Sequence, residues 1–86
     1  MEIGAGLGLP SIVASNLGAK MIATDGDTQL LHLLGRNMES NAPSCRVEKL
    51  FWGSAKPLTA LGLKQEPDFL LAANVVYDPE VWDALV

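Results

Sequence analysis

The residues with the clearest chemical potential stand near the start of the chain, in the segment Glu2-Ile3-Gly4-Ala5-Gly6-Leu7-Gly8. Glycines at alternate positions allow the backbone to turn sharply, to adopt positive φ angles and to approach a bound molecule closely. Asp25 ends a second apolar run and offers a carboxylate that can accept hydrogen bonds from ribose hydroxyls. The spacing therefore predicts a strand-turn-helix unit that binds a nucleoside.

The same segment disfavours a nicotinamide dinucleotide site. Such a site has its third glycine three positions after the second, where this chain has Leu9. Glu2 would repel a pyrophosphate, whereas it suits a ligand that carries an ammonium group, and S-adenosylmethionine combines such an ammonium with a sulfonium and an adenosine. The alternative interpretation is a generic tight turn flanked by two solvent-facing acids.

Composition narrows the class of partner. The 86 residues are 49% hydrophobic, yet they contain no stretch of the roughly 18–20 apolar residues that a bilayer crossing requires. The net charge is −4, and the six Lys and Arg residues are scattered, so no basic stripe for nucleic acid is present in the sequence. We therefore expect neither a membrane nor a nucleic-acid partner.

Cys45 is the single cysteine of the sequence, which excludes a disulfide framework within the chain and a paired-cysteine metal site. A reducing compartment is the simplest setting, so we expect the cytoplasm, with the nucleus as an open alternative. Cys45 itself is interpreted as a small, part-buried side chain. No metal site is predicted.

Strand and helix signals alternate along the chain. The periodicity, caps and breakers predict a strand end at Glu2–Ile3, a helix over 11–17, a strand over 20–24, a helix over 28–40 capped by Asp27, a strand over 46–51, a loop over 54–67, a strand over 68–76 and a helix beginning at Glu80. This order predicts an α/β fold with a doubly wound, Rossmann-like parallel sheet and helices on both faces. The chemically suited residues all fall at the carboxyl ends of strands, where such sheets bind ligands.

At these positions the chain resembles the seven-strand class of S-adenosylmethionine-dependent methyltransferases, and within it the methyltransferase 16 family, which acts mainly on protein lysine. The resemblance is carried by the glycine segment through Pro10, by Gly18-Ala19-Lys20 leading to Thr24-Asp25, by Arg36-Asn37 with Asn41, by Phe51-Trp52-Gly53 and by Ala72-Ala73-Asn74-Val75-Val76-Tyr77. It implies that residues 1–86 form part of an S-adenosylmethionine-binding domain of the class I methyltransferase type. That part would hold strands one to four and be truncated at both ends.

The resemblance also implies a cofactor site for S-adenosylmethionine. The residues expected to form it are Glu2, Gly4, Ala5, Gly6, Gly8, Asp25, Trp52 and Ala73. Trp52 would stack on the adenine, and Ala73 would leave room beside the adenine or the methyl-donor channel. The alternatives are a core tryptophan beneath a loop and simple close packing of the fourth strand.

Asn74 departs from the family pattern, which has aspartate at this position. An amide can orient a hydrogen bond but cannot supply negative charge to a substrate ammonium. Asn74 and Tyr77 are the candidates for the substrate channel, with a structural role as the alternative for Tyr77. No residue is predicted to be a catalytic acid or base.

The expected function is transfer of a methyl group from S-adenosylmethionine to a lysine of a protein substrate. One alternative keeps the cofactor but has a protein arginine or histidine, or a small molecule, as the acceptor. Another is a degenerate, non-catalytic methyltransferase-like binding module, which Asn74 favours. The sequence does not specify the oligomeric state.

Overall fold

A computed structural model describes residues 1–53, 61–63, 66–73, 75 and 79–81. Its elements in chain order are α1 (Leu9–Asn16), β1 (Ile22–Asp25), α2 (Thr28–Asn41), β2 (Arg46–Lys49) and a 3-10 helix at Pro79–Val81. Most of the predicted loop over 54–67 and the chain beyond Val81 lie outside the described residues.

The sheet is parallel and is centred on β1. β1 and β2 pair in a register that sets Ile22 beside Arg46 and Asp25 beside Lys49. On its other side β1 pairs with Glu2 through a parallel bridge at Ala23, and Glu2 in turn pairs with Leu71. The lateral order is therefore β2, β1, the Glu2 segment and the Leu71 segment, and the prediction of an α/β fold with parallel strands is confirmed.

Both α-helices pack against one hydrophobic cluster of the sheet. The cluster is formed by Ala5, Met21, Ala23, Leu34, Met38, Ala42 and Cys45. Ile12 of α1 packs against it beside the α2 residues. Successive right-handed crossovers that step across a sheet in one direction place their helices on the same face, so α1 and α2 do not cover two faces. Helices on the second face, and with them the doubly wound arrangement, stay a prediction.

Local signals fix the ends of both helices. Asp27 caps α2, because its carboxylate accepts hydrogen bonds from the Gln29 and Leu30 N–H groups at 2.8 and 3.2 Å. Gly18 ends α1 with a φ of +101°, and the N–H groups of Gly18 and Ala19 return to the carbonyls of Ser15 and Ala14. This pair of bonds is the Schellman motif, which satisfies the last free carbonyls of a helix. The predicted cap and stop are confirmed, although α1 begins at Leu9, two residues earlier than expected.

Two predicted strands are longer than the structure allows. β2 ends at Lys49 and not at Phe51, because its partner β1 ends at Asp25. Among the described residues of the predicted 68–76 strand, only Leu71 forms a ladder pair, and Phe69 is 80% exposed. The Leu71 N–H donates to the Met1 carbonyl, and the Leu71 carbonyl accepts from the Ile3 N–H. The apolar run thus correctly indicated extended pairing at Leu71, and the other described residues of the predicted strand form no ladder pair.

Cys45 lies in the hydrophobic cluster and is 7% exposed. Burial in apolar surroundings raises the pKa of its thiol, because removal from water disfavours the thiolate. The expected packing role is thus supported, with deeper burial than predicted. Among the described residues, no helix is long and apolar enough to cross a membrane.

The Asp27 cap leads to a first prediction, for the intact protein that contains this sequence. Replacing Asp27→Ala should lower the free energy of unfolding by about 1 kcal/mol, the usual cost of losing an N-cap. Urea denaturation followed by circular dichroism measures the change. Glu39→Ala, at an exposed position of the same helix, is the control and should change stability by less than about 0.5 kcal/mol. Equal stabilities of the two variants would contradict the capping role.

Candidate functional site

The glycine segment forms a tight turn between the Glu2 bridge and α1. Gly4, Gly6 and Gly8 have φ angles of +61°, +56° and +88°, a region that residues with a Cβ atom rarely adopt. The Gly8 N–H donates a 2.9 Å hydrogen bond to the Ala5 carbonyl, which closes the turn. The prediction that this backbone needs positive φ angles is confirmed.

Asp25 ties this turn to the end of β1. One carboxylate oxygen accepts the Gly6 N–H at 2.9 Å, and the other accepts the Asp27 N–H at 3.0 Å. An ionised carboxylate has about four lone-pair sites, so these two bonds leave it able to accept ligand hydroxyls. Asp25 is half-buried, and its carboxylate is held in place before any ligand arrives.

Glu2 is buried, with 1% exposure, and its position explains how α1 begins. Gly8 occupies the N-cap position of α1 and has no side chain with which to cap it. Glu2 takes over this role, because its Oε2 accepts hydrogen bonds from both the N–H and the hydroxyl of Ser11. A carboxylate at a helix N-terminus also interacts favourably with the helix dipole. The predicted contact of Glu2 with a ligand ammonium stays a prediction.

A Cβ atom would collide with neighbouring side chains at Gly8 and would be in tight contact with them at Gly4. At Gly8 it would lie 2.3 Å from Met38 Cε and 2.5 Å from Leu34 Cδ1, both on α2. At Gly4 it would lie 3.0 Å from Val75 Cγ1 and 3.2 Å from Trp52 Cζ2. At Gly6, by contrast, no atom of the described residues lies within 4 Å of the Cβ position, apart from Gly6 itself and its two chain neighbours. Gly6 is therefore the glycine with free space above it.

A cavity of about 700 Å³ lies over this turn. Its size is within the usual range of about 300–1,000 Å³ for small-molecule sites. The structure brings together here all the residues predicted to bind cofactor, namely Glu2, Gly4, Ala5, Gly6, Gly8, Asp25, Trp52 and Ala73. Asn74 and Tyr77, the predicted substrate-channel residues, lie outside the described residues.

Trp52 has two kinds of neighbour. Its indole borders the cavity, and it also packs on the backbone of Gly4. The geometry is thus compatible with both interpretations of this residue, a wall for a ligand base and a packing side chain.

Three residues of this region had been given no role in the site from the sequence, although Asn37 and Phe51 belong to the motifs that carry the family resemblance. Ser11 holds Glu2, and Asn37 donates from its Nδ2 to the Leu7 carbonyl at 2.9 Å. Phe51 is 59% exposed, borders the cavity and lies against Gly26, with Lys49 Nζ 4.9 Å from its ring centroid. The position of Phe51 beside Trp52 in the sequence indicated that Phe51 could also border the cavity. The contacts of Ser11 and Asn37 could be recognised only once the fold was known.

Comparison with known proteins assigns the chain to a family. A family model described as lysine methyltransferase matches residues 1–86. The chain belongs to this lysine methyltransferase family. The resemblance drawn from the motifs is thereby confirmed, and membership of a methyltransferase family implies S-adenosylmethionine as the methyl donor.

Curated relatives agree with this assignment to the lysine methyltransferase family. The chain is 45% identical to protein-lysine methyltransferase METTL21E of Mus musculus, with 90% of the chain and 33% of the relative covered. It is 33% identical to protein-lysine N-methyltransferase EFM3 of Saccharomyces cerevisiae, with 94% and 25% covered. It is also 35% identical to histone-arginine methyltransferase METTL23 of Homo sapiens, with 100% and 46% covered. The chain thus spans less than half of the length of each of these relatives.

The unequal packing around the glycines leads to a second prediction. Gly8→Ala should lower the free energy of unfolding by about 2–4 kcal/mol, the sum of left-handed strain and overpacking against buried side chains. Gly6→Ala, which adds its Cβ to open space, should lower it by only about 1–2 kcal/mol. Chemical denaturation of both variants of the intact protein measures the difference. Equal losses at the two positions would contradict the packing of Gly8 on α2.

Proposed function

We propose that the cavity over the glycine turn binds S-adenosylmethionine and that the protein containing this chain transfers the methyl group to a protein lysine. The observation that carries the proposal is the fixed carboxylate of Asp25 at the rim of a cavity whose floor is glycine backbone. Family membership supports the same donor and acceptor. The proposal concerns the whole protein.

The residues present fit the three parts of this donor. The Asp25 carboxylate suits the ribose hydroxyls, since it has acceptor capacity left after its two backbone hydrogen bonds. Phe51 and Trp52 supply apolar ring surface for a purine base. The open space above Gly6 allows close approach of the sulfur-bearing chain, and Glu2 is among the residues that line the same cavity.

When bound, S-adenosylmethionine supplies an electrophilic methyl group on its sulfonium. After transfer the sulfur leaves as the neutral thioether of S-adenosylhomocysteine and needs no protonation. The chain's own residues then have the task of alignment. Asp25 and the glycine turn would fix the position of the adenosyl group, and the apolar walls at Phe51 and Trp52 would exclude water from it. The attacking lysine amine must be neutral, although lysine is mostly charged at neutral pH.

Lysine is the preferred acceptor because both METTL21E and EFM3, which the chain resembles, are named for lysine methylation. Arginine is a second candidate, since METTL23, which is named for histone-arginine methylation, matches 100% of the chain. A protein substrate is common to both. The non-catalytic binding module remains the contrasting proposal, in which donor binds without transfer.

We further propose that residues 1–86 are part of a larger, doubly wound methyltransferase domain. The short ladder at Leu71 and the exposed Phe69 and Leu70 support this proposal, because a strand covered on both faces would bury such residues. Cytoplasmic localisation stays a prediction from the sequence.

A third prediction tests the donor site. Asp25→Asn in the intact protein should weaken binding of S-adenosylhomocysteine about tenfold or more, because hydrogen bonds to a charged group contribute about 1.5–3 kcal/mol. Isothermal titration calorimetry measures the dissociation constant. Glu39→Gln removes a charge from an exposed position of α2 and should leave the constant unchanged. Unchanged affinity of Asp25→Asn would count against the assignment of this cavity.

A fourth prediction tests the reaction. The intact protein, incubated with methyl-labelled S-adenosylmethionine and a cell extract, should label a protein band whose hydrolysate contains methyl-lysine. Asp25→Asn should reduce the label at a donor concentration below the wild-type KM, and an incubation without the protein gives the background. Methyl-arginine in the hydrolysate would identify arginine, and not lysine, as the acceptor. Donor binding without any label would favour the non-catalytic module.

A further inference from the structure

The glycine turn is supported from outside the cavity by α2. Asn37 donates from its side-chain Nδ2 to the carbonyl of Leu7, the residue between Gly6 and Gly8, over 2.9 Å. The two residues are 30 positions apart in sequence. Asn37 does not border the cavity, so its amide acts on the turn and not on a ligand.

Asn37 belongs to a short face of α2 that holds the turn. Leu34 and Met38 stand three positions before it and one after it, and both lie within 2.5 Å of the place where a Gly8 Cβ would be. Counted from Leu34, the three residues stand at positions i, i+3 and i+4, which form one stripe along a helix. Leu34 is fully buried and Met38 is 2% exposed, so this face is fixed in the core.

The hydrogen bonds of the turn show what Asn37 adds. The peptide that joins Leu7 to Gly8 is fixed at both ends, because its N–H bonds to the Ala5 carbonyl and its carbonyl accepts from Asn37. The Gly6 N–H is separately fixed by Asp25. Apolar packing alone is non-directional, so the orientation of the Leu7 carbonyl depends on the amide.

We infer that Asn37 is a positioning residue for the methyl-donor site, holding the Leu7–Gly8 peptide so that the turn has its binding shape before the donor arrives. This inference rests on the proposed function of the cavity. Preorganisation of this kind increases affinity because less ordering is needed on binding. The required group is a hydrogen-bond donor, which the amide of asparagine provides and the carboxylate of aspartate lacks.

Asn41 provides a matched control in the same helix. Its Nδ2 donates at 2.9 Å to the Asn37 backbone carbonyl, a local bond within α2 that does not reach the turn. Asn37→Asp and Asn41→Asp are therefore the same chemical change one helical turn apart. Leu31→Ala is a second control, since Leu31 packs against the core but does not border the cavity, and its loss should reduce stability alone.

The test compares these variants of the intact protein by calorimetric titration with S-adenosylhomocysteine and by thermal denaturation. Asn37→Asp should raise the dissociation constant about tenfold, as expected for loss of a bond that fixes the turn. Asn41→Asp should stay within about twofold of wild type, and Leu31→Ala should lower the melting temperature with the dissociation constant unchanged.

Two different results would overturn the inference. If the wild-type protein does not bind the ligand, the proposed function fails and the inference fails with it. If the wild type binds and Asn37→Asp binds equally well, or no worse than Leu31→Ala at matched stability, only the positioning role of Asn37 is rejected.

Discussion

The hydrogen bond between the Gly6 N–H and the Asp25 carboxylate is the constraint on which the site depends. It joins the glycine turn to the end of β1 across 19 positions of sequence. The Asp25 carboxylate also accepts the Asp27 N–H, so the same group sets the path of the chain towards α2. A single carboxylate therefore fixes two loops at the carboxyl edge of the sheet, which is where parallel α/β sheets bind ligands.

The turn is stable because both helices support it. Gly8, at the N-cap of α1, has no side chain with which to cap the helix, and the Glu2 carboxylate accepts the Ser11 N–H in its place. The buried carboxylate of Glu2 is thereby paired with hydrogen-bond donors. α2 packs Leu34 and Met38 against Gly8 from the other side. Glycine at this position is thus required twice, by its positive φ angle and by the absence of space for a Cβ atom.

Local features of the site could be predicted from the sequence, whereas contacts between distant elements could not. The glycine turn, Asp25 and the Asp27 cap depend on residue types at short spacing, and the structure shows each in its expected place. The contact of Asn37 with Leu7 depends on how α2 packs on the sheet, which no pattern within one helix reveals. The apolar run around Leu71 predicted an extended segment, and Leu71 pairs with Glu2 in the sheet.

The proposed function requires this edge of the sheet to hold the adenosyl group of a positively charged methyl donor. A crystal structure of the intact protein grown with S-adenosylhomocysteine tests it most directly. We expect the ribose hydroxyls to be hydrogen-bonded to Asp25 and the base to lie against the rings of Phe51 and Trp52. Density for the ligand elsewhere, or a dinucleotide retained in this cavity in its place, would show that the cavity is not the methyl-donor site.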